Sequence, residues 1–136
     1  MDLIKSMKIA ASGLRAQSAR MRVISENLAN ANSTALDPGG DPYRRQIPSF
    51  KSTFDRELQA NVVEPGRTRL DRSEFTLRYE PGHPAADANG YVKLPNVNTL
   101  VEMTDMREAQ RSYEANLNVV RSARSMLMRT LDILRA

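Results

Sequence analysis

From Leu3 to about Asn30 the chain has no proline and a single glycine, Gly13, and its apolar residues fall on two interleaved seven-residue series. Met7, Leu14, Met21 and Leu28 form one series. Leu3, Ala10, Gln17, Ile24 and Ala31 form the other, with Gln17 as its one polar member. Alternating steps of three and four residues predict a helix with a coiled-coil-like seam, a pattern that an amphipathic bundle helix also approximates. The far end repeats the design. Met106, Tyr113, Val120, Leu127 and Leu134 are seven apart, and Met103, Gln110, Leu117, Arg124 and Leu131 fill the alternate positions, interrupted by Gln110 and Arg124. At 1.5 Å per residue the first helix spans roughly 45 Å and the second, from Asn98 to Leu134, about 55 Å. Asn98 or Thr99 can cap the second helix, and Thr99 with Glu102 has capping-box spacing. Its acids, Glu102, Asp105, Glu108 and Glu114, precede Arg121, Arg124, Arg129 and Arg135, an order that complements the helix dipole in the terminal turns.

Between the two patterns, Asp37-Pro38-Gly39-Gly40-Asp41-Pro42 stops any helix, since proline lacks a donor and glycine frees the backbone. Gln46–Phe50 and Phe75–Tyr79 are predicted to be short strands, the second placing Phe75, Leu77 and Tyr79 on one face. Phe54–Val63 is open between a short helix and an irregular stretch. Pro81-Gly82-His83-Pro84 and Asp87-Ala88-Asn89-Gly90 are turn signals. The expected fold is mainly α: long N- and C-terminal helices forming a coiled-coil-like core, with a small irregular, β-containing insert between them. The expected segments are 1–35, 36–95 and 96–136.

Composition narrows the function. Only seven of 136 residues are aromatic, so an aromatic-filled, self-contained core is not expected. The absence of cysteine excludes a disulfide scaffold and thiolate chemistry, and the single histidine, His83, gives little material for a metal or acid–base cluster. No catalytic set converges, so the chain is expected to be no enzyme and to use no cofactor, metal or small-molecule substrate. Gly39-Gly40 lacks the following lysine of a phosphate loop. A turn is the expected role of Asp37 and Asp41, and His83 is read as a loop residue. The net charge of +4 comes mainly from residues 1–35, but its arginines alternate with acids, unlike the continuous basic stripe that nucleic acid requires. No apolar run approaches the ~20 residues of a membrane-spanning helix, and the N-terminus lacks the pattern of a cleaved secretory signal.

A seam rich in methionine, alanine and glutamine fills space less definitely than leucine and isoleucine do. Against about 1–2 kcal/mol of backbone entropy per ordered residue, two such helices are expected to complete their packing on neighbouring chains. A head-to-tail contact of this kind does not close on itself and generates a helical filament.

Certain motifs point to a family. Ala11-Ser12-Gly13-Leu14-Arg15-Ala16-Gln17, then Arg20-Met21-Arg22-Val23-Ile24-Ser25-Glu26-Asn27-Leu28-Ala29-Asn30-Ala31, resembles the N-terminal motif of bacterial flagellar axial proteins. Pro38-Gly39-Gly40-Asp41-Pro42-Tyr43-Arg44-Arg45-Gln46 is similar to the family's glycine–tyrosine–arginine segment. Gly90–Asn98, Glu102-Met103 and Arg111-Ser112-Tyr113-Glu114-Ala115-Asn116 resemble its C-terminal part, and that combination with the short length resembles a proximal-rod subunit. The resemblance covers roughly residues 3–46 and 89–134. It implies terminal helices that form the inner core of a hollow tube, an outward-facing middle, and export through the flagellar type III apparatus without a cleaved signal. Further implications are assembly in the periplasmic space with copies of itself and other rod subunits, and mechanical transmission of torque. A sibling proximal-rod protein, a basic coiled-coil adaptor and a nucleic-acid-binding helical bundle are the alternatives.

The expected subunit-packing residues are Met7, Leu14, Met21, Ile24, Leu28, Met103, Met106, Tyr113, Leu117, Val120, Leu127, Leu131 and Leu134, with Asn27 and Asn30. Asn27, Asn30 and Asn32 are read as helix-terminus polar residues, some of which also bond backbone of adjacent subunits. Gly13 either costs about 1 kcal/mol without return or admits a neighbouring helix. Phe50 and Phe54 resemble the gate-recognition element of exported subunits, with anchoring of the insert as the plainer role. If the helices fold back antiparallel, Lys5, Lys8 and Arg15 gather with Arg121, Arg124, Arg129 and Arg135, while Arg20 and Arg22 lie nearer the second helix's acidic start. A basic inner wall or end of the tube, and salt-sensitive assembly, are then expected.

Overall fold

The computed structural model describes residues 2–136. Two helices, α1 (Leu3–Ala29) and α2 (Thr99–Arg135), bracket six short strands: β1 (Gln46–Ile47), β2 (Phe50–Asp55), β3 (Ala60–Pro65), β4 (Arg69–Leu70), β5 (Thr76–Tyr79) and β6 (Tyr91–Leu94). The strands pair antiparallel as β1–β4, β2–β3 and β5–β6. The architecture is thus two long terminal helices with small two-stranded ribbons between them.

Both helices begin on a side-chain cap. The Asp2 carboxylate accepts from the Ile4 and Lys5 amides at 3.0 and 3.1 Å, the N-cap geometry that satisfies orphan donors. Asn98 does the same for Leu100 and Val101. Of the two candidate caps Asn98 is the one used, and the Glu102 carboxylate is turned to Arg45 and Asn27. At the other end of α1, the Asn30 side chain donates to the Glu26 carbonyl at 2.9 Å.

The middle differs from expectation at two places. The strand expected over Gln46–Phe50 is split by Pro48, which cannot donate to a ladder, so that β1 ends at Ile47 and β2 starts at Phe50. Phe54–Val63, left open between helix and irregular chain, forms most of the β2–β3 hairpin, with register Phe50↔Pro65 through Asp55↔Ala60. Thr53, Val62 and Val63 favour a pleated surface. The Asp55 carboxylate closes the turn by accepting from the Glu57 and Leu58 amides. Phe75–Tyr79 does contain a strand, β5, paired to β6, with Tyr79 and Tyr91 edge to face at 5.3 Å.

The chain divides into two compact units, residues 1–21, 49–67 and 107–136 in the first and residues 22–48 and 68–106 in the second. The first unit buries Ala10, Ser12, Ala16, Val62, Ala109 and Ala123, and its helix segments run antiparallel, with Gly13 beside Asn116 and Arg20 bonded to Glu108. The second buries Val23, Ile24, Asn27, Ala31, Ala85, Val92 and Glu102. Both cores are built from small aliphatic side chains, as the scarcity of aromatics requires.

The inward series of α2 is shifted from the expected one. Met106, Tyr113, Val120 and Leu127 are half-buried, but their buried companions are Glu102, Ala109 and Ala123, with Asn116 half-buried in the same series. Met103 and Leu131, expected in the seam, stand more than two-fifths exposed on the adjacent face. Small side chains let helices approach closely, so alanines and an asparagine occupy the in-chain contact that bulkier residues were expected to fill.

Candidate functional site

In the second unit, motif residues distant in sequence meet in one polar network. Asn27, on the last turns of α1, is fully buried, and all four hydrogen-bonding positions of its amide are occupied. Its Nδ2 donates to the Gln46 carbonyl at 2.8 Å and to Glu102 Oε2 at 3.1 Å. Its Oδ1 accepts from the Tyr43 hydroxyl at 2.8 Å and the Gln46 amide at 2.9 Å. Glu102, 1% exposed on the first turn of α2, also accepts from Arg45 Nε at 2.5 Å. Arg45 reaches Asp71 Oδ2 at 3.4 Å and Asp105 at 4.0 Å. The Asn96 side-chain Oδ1 accepts from the Arg45 backbone amide, while its Nδ2 donates to the Asp71 carbonyl and the Ser73 hydroxyl. Arg44 donates to the carbonyls of Asp71 and Ser73 and lies over the Phe75 ring, 4.2 Å from its centroid.

Electrostatics fit the geometry. Burial works against the Arg45 charge, but bonding to Glu102 and Asp71 outweighs it and holds the guanidinium above its usual pKa. The amide and hydroxyl of Ser73, with Arg45 behind them, hold the Asp71 carboxyl below the usual carboxylate value, against a small opposing cost of burial. Burial, then the charges of Glu26 and Glu102, pushes the Tyr43 phenol up, only partly offset by a bond from Gln46. A buried acid, a buried amide and a half-buried arginine each find partners, as polar groups in a low-dielectric interior must. Nothing in this network offers a nucleophile or an open coordination position. It is a clamp that ties the chain after α1 to the start of α2.

The first unit uses two adjacent residues of the Ala11–Gln17 motif in different ways. Ser12, 1% exposed, donates to the Ile9 carbonyl at 2.7 Å and accepts the Val63 amide at 3.3 Å, so α1 covers part of the β3 edge. Lys5 adds a bond to the Gln59 carbonyl in the hairpin turn at 3.2 Å. A Cβ at Gly13 would lie 2.9 Å from the Asn116 amide atoms, closer than real Cβ atoms come. Gly13 therefore admits a neighbouring helix, α2 of the same chain.

The expected packing residues are distributed as follows. Ile24 and Asn27 are buried in the second unit. Met7, Leu14, Met21, Leu28, Asn30, Met106, Tyr113, Leu117, Val120 and Leu127 are half-buried, and Met103, Leu131 and Leu134 are exposed. Full burial and four internal bonds make Asn27 a tie within the chain. Asn30 bonds its own helix. Phe50 and Phe54 stand about half exposed on the outward face of β2, opposite the face that carries buried Val62, so anchoring the hairpin to α1 is not their role. The late part of α2 exposes Val119, Met126, Met128, Leu131, Ile133 and Leu134, apolar side chains on several of its faces.

Roles for Ser12, Tyr43, Arg45, Asn96 and Glu102 in the clamp and the hairpin contact were not read from the sequence. The available signal was their place inside the quoted motifs; their partners lie up to 75 positions away. Charge divides between the units. The first holds 13 basic and 7 acidic residues and the second 7 and 9. Lys5, Lys8, Arg15, Arg121, Arg124, Arg129 and Arg135 all belong to the first. Among the described residues no group of three His, Cys, Asp or Glu could hold a metal ion, and no helix is long and apolar enough to cross a membrane.

Comparison with known proteins gives two family matches: "Flagella basal body rod protein" over residues 7–35 and "Flagellar basal body rod FlgEFG protein C-terminal" over residues 88–133. The chain is 52% identical to the flagellar basal-body rod protein FlgC of Agrobacterium fabrum over 134 residues, covering 98% of this chain and 96% of that one. It is 41% identical to the protein of the same name from Salmonella typhimurium over 133 residues, covering 98% of each. It is also 41% identical to that of Borreliella burgdorferi, covering 98% of this chain and 99% of the other.

Proposed function

This chain belongs to the flagellar basal-body rod protein family, as a structural subunit of the flagellar basal body and not an enzyme, and from that premise we propose that it assembles through its terminal helices into the proximal part of a hollow, torque-transmitting shaft. The single observation that carries this reading is the exposed apolar surface on the late half of α2. Fully covering a Val, Leu, Ile or Met side chain is worth about 1.5–3 kcal/mol. Six such side chains that are already part-covered therefore offer roughly 5–11 kcal/mol, comparable with the ~4–15 kcal/mol cost of immobilising a partner. One neighbour gives marginal association; several neighbours around each helix give a stable tube. The proposal assigns assembly to segments 1–35 and 96–136 and the outward surface to segment 36–95. Its partners are copies of this chain and other rod subunits, in the periplasmic space. Export through the flagellar type III apparatus is part of the same reading, with Phe50 and Phe54, exposed on β2, available for recognition by its gate.

The test is complementation of a strain lacking this subunit. Leu131→Asp alters a side chain 45% exposed in the isolated chain. It is expected to abolish swimming and to leave basal bodies without the variant chain, while unfolding of the purified chain is unchanged. Normal swimming with Leu131→Asp and Ile133→Asp combined would overturn the reading.

A further inference from the structure

Leu36 is 99% exposed, more than any other large apolar side chain among the described residues, and it stands on a turn that is held in place. The Gly40 amide donates to the Asp37 carbonyl at 3.0 Å, and the Gly39 amide donates to the Ala85 carbonyl at 3.2 Å. Gly39 adopts a φ of +70°, open to glycine, and Lys93 fastens Asp41 at 3.0 Å. An apolar knob carried on a pinned loop loses little entropy on docking. Asp37, beside it, is exposed and makes no ion pair among the described residues.

The first unit contains a matching recess. Leu3 and Ser6 of α1 with Val119, Ser122 and Met126 of α2 line an apolar groove of about 320 Å³, at the small end of the range for ligand pockets and open along one side. Arg129 follows Met126 by three residues, on the same side of the helix. The unit with the groove carries a net +6 and the unit with the knob a net −2, so two copies attract in the head-to-tail sense.

We propose that Leu36 of one copy seats in this groove of a second copy, with Asp37 facing Arg129. The contact joins two different patches, so it does not close into a dimer and can propagate. It rests on the assembly reading above and specifies which surfaces of the chain meet.

The native chain has no cysteine, which makes the contact directly testable. Two single-cysteine chains, Pro38→Cys, at an exposed position that keeps the Leu36 side chain, and Ser122→Cys, are produced together in a strain lacking the native subunit, and isolated basal bodies are treated with a short bismaleimide. Each chain has one thiol, so a mixed dimer reports contact between copies. Docking is expected to raise the mixed dimer roughly tenfold above an Arg56→Cys with Ser122→Cys control, through local concentration. Chains that incorporate yet link no better than this control overturn the proposal and leave the assembly reading intact; native chain absent from purified basal bodies overturns the assembly reading instead. Leu36→Ser and Leu36→Met supply a second readout that does not depend on cysteine. Incorporation lost with serine and kept with methionine supports the docking, whereas equal incorporation of both, at the native level, overturns it. Asp37→Arg and Arg129→Asp, each weakening the cross-link alone, are expected to restore it when placed on opposite chains.

Discussion

Glu102→Ala is the sharpest probe of the clamp. Removing one member of a buried ion pair costs about 3–5 kcal/mol when the other is left fully buried. Arg45, however, is 20% exposed and keeps Asp71 at 3.4 Å, so solvent and a second partner reduce that loss to about 2 kcal/mol. Asn27 Nδ2 loses one of two acceptors and keeps the Gln46 carbonyl at 2.8 Å, adding about 1 kcal/mol. The expected cost is therefore ~3 kcal/mol. Glu102→Gln, which retains an acceptor oxygen and loses the charge, should cost roughly half as much. The assay is urea unfolding of the purified chain, followed by circular dichroism and by tyrosine fluorescence, since the protein has no tryptophan. Met103→Ala is the neighbouring control, 53% exposed on the same helix turn and expected within ±0.5 kcal/mol of the native chain. A double-mutant cycle with Arg45→Ala should give a coupling of at least about 1 kcal/mol. If Glu102→Ala unfolds at the same urea concentration as Met103→Ala, the clamp carries no energy and the reasoning fails.

The remaining expectations use other parts of the molecule. Gly13→Ala gains about 1 kcal/mol of helix propensity but drives a methyl into the Asn116 amide, so Gly13→Ala with Asn116→Ala should be more stable than the sum of the single changes; additivity would mean the contact is slack. Ser12→Ala removes the acceptor of the Val63 amide, so exchange of that amide should speed severalfold for a bond worth about 1 kcal/mol, and unchanged exchange would deny the tie. Because the Asp71 pKa is depressed in the fold, its contribution is present above the unfolded carboxylate value near 3.8 and is lost as pH falls below it; Asp71→Asn should flatten the acid limb of a stability–pH curve. The Tyr43 pKa is raised, so its contribution is present below pH ~10 and is lost above it. Tyr43→Phe should flatten the alkaline limb.

The two helices were legible because heptad spacing and the lack of internal proline are local properties that no tertiary contact overrides here. Their inner faces were less legible. A stripe reading ranks Met103 and Leu131 above Ala109 and Ala123, because bulk is the signal it uses. Close helix approach at Gly13 reverses that ranking, and only packed coordinates record the approach. The hairpin at Phe50–Pro65 was hidden because its turn, Asp55 to Gln59, depends on side-chain bonds and a left-handed Gln59 rather than on a glycine signal. The clamp shows the same division. Asn27, Tyr43, Arg45, Asn96 and Glu102 stood in recognisable motifs, so the sequence determined the family and the structural role. Which of them are neighbours was decided by the fold alone, since hydrogen-bond partners 16 to 75 residues apart leave no periodic trace along the chain.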